Sequence, residues 1–203
     1  MAGPTVVALD IGDPPSAWAG LGFTVAPDGV CRVGAVELRL GADGRGIVGW
    51  ALGGDGIDGD VDGIRTRWAA PPSGPPGVHP NTALAVDHVV VRSADPRASF
   101  AALEAVGMTL RREHVAGSGA GAVVQGFFRH GEAIVEVVGP QQPAASAPSR
   151  LWGLTITVAD LDECLRRLGP AAGDAHEAVQ AGRRIAAVRR EAGLGAALAF
   201  MTP

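Results

Sequence analysis

Two side chains in this sequence carry the chemistry of an acid–base or metal site. His88 sits in the run VDHVVVR (86–92) and Glu136 in EAIVEVV (132–138). An imidazole or a carboxylate set in an apolar run needs a hydrogen-bond partner, an opposite charge or a metal. Both runs read as β-strands, so the period of 2 assigns their faces. Val86, His88, Val90 and Arg92 share one face, and Ile134, Glu136 and Val138 share another. If the two faces meet, His88 and Glu136 form either two ligands of a divalent ion or a hydrogen-bonded acid–base couple.

Other groups are weaker candidates. Asp58, Asp60, Asp62 and Gly63 spell DxDxDG, the first half of an EF-hand calcium loop. The twelfth position is Ala69 where a bidentate Glu is needed, so a flexible acidic linker is the better reading. Gly53–Asp58 also matches one calcium β-roll repeat, which works only in stacks. The arginine pairs 111–112, 166–167, 183–184 and 189–190 invite an anionic ligand, and Arg183 and Arg189 share a face with Ile185. Strand neighbours point to opposite faces, so most of these arginines belong to solvated edges. Cys31 and Cys164 fit no CxxC pattern, and Cys164 falls on a helix stripe as a small buried hydrophobe.

The elements that must position these residues recur. Thr5–Gly12 is a strand, Asp13-Pro14-Pro15 starts a helix, Gly22 stops it, and three β-rich runs follow over Phe23–Leu52. Leu84–Arg92 opens the pattern again, with Asp95-Pro96, Phe100, Leu103 and Gly107 marking the helix, then strands at Met108–Val115, Ala122–Arg129 and Ala133–Val138. It opens a third time at Leu151–Val158, with Asp160 as cap, Leu161, Cys164, Leu165 and Leu168 as the apolar stripe, and RRIAAVRR and AALAFMTP as later strands. Counting back seven residues from the three capping aspartates aligns Val6, His88 and Gly153. The prediction is an α+β protein of tandem βαβββ units: a divergent unit at 1–54, a Gly/Asp/Pro-rich connector at 55–81, and a two-unit domain at 82–203.

This unit resembles the vicinal oxygen chelate superfamily of glyoxalase I, extradiol dioxygenases and bleomycin-resistance proteins. The residues that carry the likeness are VDHVVVRSADPRASFAALEAVGM, FFRHGEAIVEVVGP, LWGLTITVADLDECLRRLG and the closing ALAFMTP. The resemblance implies two units whose sheets form a cup, with a metal held near the third position of each first strand and by a carboxylate on each fourth strand. Carried over, those positions are His88 and Glu136 in one unit and Gly153 and Ala199 in the other, which leaves a half-site. One divalent Zn, Ni, Mn or Fe would need a third ligand from His130, His114, a partner chain or the substrate, so a metal-free site is the more natural expectation. In the last unit Gly153, Thr155 and Thr157 should look into the cup and Trp152, Leu154, Ile156 and Val158 should pack under the helix. Arg92, Gln125, Thr155, Thr157 and Met201 are the expected substrate-binding residues.

Composition bounds the partners. The net charge is −4, there is no Lys, and no basic run is interleaved with aromatics, which argues against nucleic acid. No apolar run is long enough to span a bilayer, and the first residues lack the basic start of a secretory signal, so a cytoplasmic setting is expected. A homodimer is expected if an odd unit leaves a sheet edge uncovered. Three functions stay open: a glyoxalase-like isomerase or lyase acting on a small carbonyl- or carboxylate-bearing metabolite, a metal-free binding protein of the bleomycin-resistance type, and a scaffold that retains only the fold.

Overall fold

The structure is a computed structural model, and it describes residues 3–143 and 147–203. It is α+β, with two sheets that share one hydrophobic core. The first sheet comes from β1 (Thr5–Ile11), α1 (Pro15–Gly20), β2 (Val30–Val33), β3 (Val36–Leu40), β4 (Ile47–Gly53), β5 (Gly59–Val61) and β6 (Ile64–Ala69). The second comes from β7 (Ala83–Arg92), α2 (Pro96–Ala105), β8 (Leu110–Ala116), β9 (Val123–Arg129) and β10 (Ile134–Pro140), followed by β11 (Arg150–Val158), α3 (Leu161–Leu168), β12 (His176–Glu177), β13 (Arg184–Ala187) and β14 (Ala197–Met201). No helix among the described residues is long and apolar enough to cross a membrane.

The larger sheet has the order β12-β13-β14-β11-β7-β10-β9-β8. Each unit places its first strand parallel to its last, β7 beside β10 and β11 beside β14, and the two first strands meet antiparallel at the centre. The helices start and stop where local chemistry dictates. Asp95 accepts hydrogen bonds from the amides of Arg97 and Ala98, and Asp160 accepts one from Glu163. The residue just past each helix that must turn left-handed is a glycine: Gly22, Gly107 and Gly169 have φ of 82°, 92° and 54°.

The N-terminal strands form a sheet of their own, and the stretch expected to be a connector extends it. The smaller sheet has the order β2-β3-β1-β4-β6-β5, with β3 parallel to β1, β6 parallel to β4, and β1 antiparallel to β4. That is the central arrangement of the larger sheet, repeated with shorter arms and no second helix. The acidic stretch is therefore an ordered hairpin rather than a flexible linker. Asp60 Oδ1 accepts the Gly63 amide at 2.5 Å, Asp58 Oδ1 accepts the Trp68 amide at 2.8 Å, and Asp62 sits at φ 56° in the turn. The aspartates are spent on turn geometry, a role open to Asp and Asn because their short side chains mimic backbone.

Asp13 departs from the repeat. Pro14 occupies the cap of α1 with no side-chain bond, and Asp13 is buried instead against the other sheet. It accepts the Gly195 amide at 2.6 Å and the Ala196 amide at 3.4 Å, and the Trp18 indole N–H at 3.3 Å. Phe23 stacks on Phe200 at 5.9 Å nearby. The apolar face of the N-terminal unit is thus covered by the main domain, so it does not require a second copy of the chain to cover it.

Candidate functional site

One face of the larger sheet carries a cavity of about 350 Å³ that is open to solvent. His88 and Glu136 both line it, as their strand faces predict. Val90, Val138, Thr155, Ala197 and Ala199 join them, while Val89, Val91, Val135, Val137 and Phe200 go to the core.

Two β-bulges change the expected register. The ladder steps from Thr155↔His88 to Ile156↔Val86, which leaves Asp87 as an extra residue on β7. An extra residue shifts strand parity by one. Val86 consequently packs into the core rather than the cup, and Asp87 lies beside His88 instead of behind it. A second shift, between Leu151↔Val91 and Gly153↔Val90, turns Trp152 out. Trp152 is therefore not packed under the helix with Ile156 and Val158. It is 45% exposed and lines the cavity.

Asp87 Oδ2 lies 2.9 Å from His88 Nδ1, and His88 Nε2 lies 3.0 Å from Thr155 Oγ1 and 3.7 Å from Glu136 Oε2. Glu136 Oε1 accepts from Gln125 Nε2 at 2.9 Å. Arg183 donates through Nη2 to Asp87 Oδ1 at 2.8 Å and through Nε to the Thr202 carbonyl at 2.8 Å, so it serves the carboxylate and not the cavity. Thr157 bonds Asp87 Oδ1 at 3.3 Å. Burial pushes the Asp87 carboxyl up, but the hydrogen bonds from His88 and Arg183, with their charges, outweigh it and hold it at about 2. Asp87 is thus an anion at neutral pH, and an anion can only accept. Nδ1 of His88 must carry a proton, and Nε2 of the neutral ring is left with its lone pair toward Thr155 and the cavity.

Among the residues expected to bind substrate, Thr155 lines the cavity and touches His88. Gln125 and Thr157 act through Glu136 and Asp87. Arg92 is exposed, with its guanidinium carbon 5.7 Å from the centre of the Trp152 ring. Met201 is fully buried beside the cup and is not among the cavity-lining residues. Sequence reasoning missed Asp87 and Trp152. The available signal was an Asp-His pair inside an apolar strand, which strict alternation sends to opposite faces.

The metal ligand set does not fit. Among the described residues no group of three His, Cys, Asp or Glu could hold an ion. His130 Nε2 accepts the Thr109 amide at 2.9 Å, and His114 is on the exposed edge strand β8. Gly153 has no room for a ligand side chain, because a Cβ there would lie 2.5 Å from the Ala197 carbonyl. Cys31 and Cys164 are buried and their thiols are pushed up to about 12, by desolvation and, for Cys164, also by the charge of Asp160. Neither serves as a nucleophile or a metal ligand near neutrality.

No family model matches the chain, and no curated protein matches it. Among solved structures it is similar to a triple mutant of 4-hydroxymandelate synthase from Streptomyces coelicolor, with 16% identity, a TM-score of 0.66, and coverage of 97% of this chain and 91% of that one. It also matches methylmalonyl-CoA epimerase from Mycobacterium tuberculosis (18% identity, TM-score 0.45, 60% of this chain and 89% of that one). The Streptomyces coelicolor epimerase matches at 17% identity and TM-score 0.45, over 58% of this chain and 95% of that one. The likeness is one of fold: the chain has the tandem βαβββ fold of the vicinal oxygen chelate superfamily.

Proposed function

We propose that this chain is a metal-independent enzyme that moves a proton next to a carbonyl in a small carbonyl- or carboxylate-bearing metabolite, with His88 as the base. The observation that supports this reading is the Asp87–His88–Thr155 line of hydrogen bonds at the wall of the cavity. The arrangement follows the orienting logic of hydrolytic triads: a buried carboxylate fixes the tautomer and aims the other ring nitrogen at the reacting group. Nε2 takes the proton, the C–H pair of electrons forms a C=C bond as the carbonyl π pair moves onto oxygen to give an enolate, and the imidazolium that forms lies between the carboxylates of Asp87 and Glu136. Protonation of the same carbon by solvent on its other face gives epimerisation, return of the proton from His88 to a different atom isomerisation, and loss of a leaving group a lyase outcome. The chain's own residues bind, orient and carry the proton, and no metal is required.

A second reading is favoured by the wall chemistry. Val90, Val138, Ala197 and Ala199 with Trp152 make a mostly apolar pocket, the kind that sequesters a ligand without changing it. The two readings separate in heavy water. The protein is incubated in ²H₂O with a panel of α-substituted carbonyl acids while their α-proton signals are followed by NMR. Exchange that disappears in His88→Gln supports catalysis. Ligand-induced thermal shifts with no exchange in the wild type support sequestration.

A further inference from the structure

Arg92 and Arg150 stand at matching ends of the two central strands and are direct cross-strand partners. Their neighbours Val91 and Leu151, also paired, point into the core, so both arginines belong to the opposite, cavity-facing side. Both are exposed, and neither forms an ion pair among the described residues. Residues 1–2 and 144–146, which lie outside that set, are Met, Ala, Ala, Ala and Ser, with no carboxylate side chain to offer. Like charges set directly opposite each other on a sheet are destabilising. The half-buried arginines near the cup have partners: Arg183 has Asp87, and Arg184 has Asp162. Here two cations stand at paired strand positions with none. The Arg92 guanidinium also lies against the Trp152 ring, and Trp152 is part of the cavity wall. Arg92, the aromatic plate and the cavity are therefore continuous, with Arg150 opposite Arg92 on the neighbouring strand.

We infer that Arg92 and Arg150 form an anion subsite at the mouth of the His88 cavity, and that the ligand carries a carboxylate or phosphate at one end and an apolar, planar body laid against Trp152. The inference rests on the reading of the cavity as a small-molecule site and adds the ligand's charge and shape. Two guanidinium forks suit an oxyanion with several acceptor oxygens. His88 is four residues from Arg92 on the same strand face, about 13 Å along β7, so the anion and the reacting carbon sit at opposite ends of an elongated molecule.

The test uses 3-phenylpropionate, phenyl phosphate and the neutral 3-phenylpropionamide as probes, at low salt, with tryptophan fluorescence and thermal melting as readouts. The wild type should bind at least one anion about tenfold or more tighter than the amide. Arg92→Gln and Arg150→Gln should each lose about tenfold in anion affinity and leave the amide unchanged. Without ligand, each variant should melt about 1–3 °C higher than the wild type, because the repulsion is relieved. Weaker anion binding together with a more stable free protein is a combination that a merely structural arginine does not give. Acid and amide binding equally, in wild type and variants alike, would overturn the anion subsite and leave the cavity reading standing. Failure of all three probes to bind would take down both. A fall in unliganded melting temperature in both variants would also count against the subsite. The tighter of the two anions tells carboxylate from phosphate.

Discussion

Asp87 Oδ2 sits 2.9 Å from His88 Nδ1, although the two residues are adjacent on a strand and adjacent strand residues ordinarily point apart. The bulge between Thr155↔His88 and Ile156↔Val86 brings them to one side, and the guanidinium of Arg183 closes the network at 2.8 Å. The first prediction concerns this contact. In the wild type, ¹⁵N NMR of His88 should show Nδ1 protonated and Nε2 bare in the neutral ring. Asp87→Asn should mix the tautomers and lower any His88-dependent proton exchange by about 10²-fold or more. It should also flatten an acid limb of the stability curve. The Asp87 carboxyl is held at about 2 against an ordinary 3.8, so its contribution is complete above about pH 4 and is lost as pH falls toward 2. That contribution is on the order of 2 kcal/mol. Unfolding by urea across pH 2–5 measures it, and an unchanged slope in the variant would refute the assignment.

His79 gives a second, milder pH dependence. Its ring is buried, with Nδ1 accepting the Thr24 amide at 3.1 Å and Nε2 donating to the Arg32 carbonyl at 2.9 Å. Burial lowers its pKa below 6.5, and the bond to the Arg32 carbonyl offsets this only in part. The unfolded chain therefore takes up a proton more readily than the folded one. Stability is intact above about pH 6.5 and declines below it. His79→Gln should be less stable at pH 8 and should take up fewer protons on unfolding below pH 6.5. Calorimetric melts in buffers spanning pH 5–8 would detect the difference.

The same residues show what the sequence could and could not disclose. His88 and Glu136 were placed on the cup face by strand parity alone, and the capping roles of Asp95 and Asp160 followed from their position before an apolar stripe. Parity fails wherever a bulge inserts a residue, and the run AVDHVVVR marks one only by its adjacent Asp-His pair. That is why strict alternation sends Val86 to the wrong face and Asp87 away from His88. Trp152 was misplaced for the same reason, and the chemistry of the mouth went with it. The hairpin β5–β6 was hidden by composition. A stretch rich in Gly and Asp reads as linker, yet the aspartates hold the turn and Trp50 fixes β6 by donating to Thr66 Oγ1 at 2.7 Å.

The donor set leads to a third prediction. Zn usually takes three protein ligands at a catalytic site, and here the cup offers His88 Nε2 and Glu136, with Gly153 and Ala199 in the remaining positions. Dialysis against EDTA should therefore leave the melting temperature within about 1 °C, since only a ligand bound to the native state shifts it. Zn, Ni, Mn or Fe retained stoichiometrically through gel filtration, and lost in His88→Ala, would show that a further ligand completes the site.

The last prediction concerns a residue outside the cavity that nonetheless shapes it. Asp13 is buried and receives three N–H groups: the amides of Gly195 and Ala196 and the indole of Trp18. Gly195 has no space for a side chain, because an added Cβ would lie 2.5 Å from the Gly46 nitrogen and 2.8 Å from Asp13 Oδ1. The carboxylate thus pins the loop immediately before β14, the strand that carries Ala197 and Ala199 into the cavity wall. In Asp13→Ala these donors lose their acceptor in a dry place, at about 1–3 kcal/mol for each buried group left unpaired. A loss of at least about 3 kcal/mol is expected, or roughly 6–12 °C in melting temperature for a chain of this size. Asp13→Asn keeps the shape and one acceptor oxygen, so it should recover part of the loss. Because β14 is one wall of the cup, probe affinity at the His88 cavity should fall along with stability in Asp13→Ala even at temperatures where the protein is folded. Affinity unchanged at 10 °C in a destabilised variant would mean that the cup holds its shape without the N-terminal sheet.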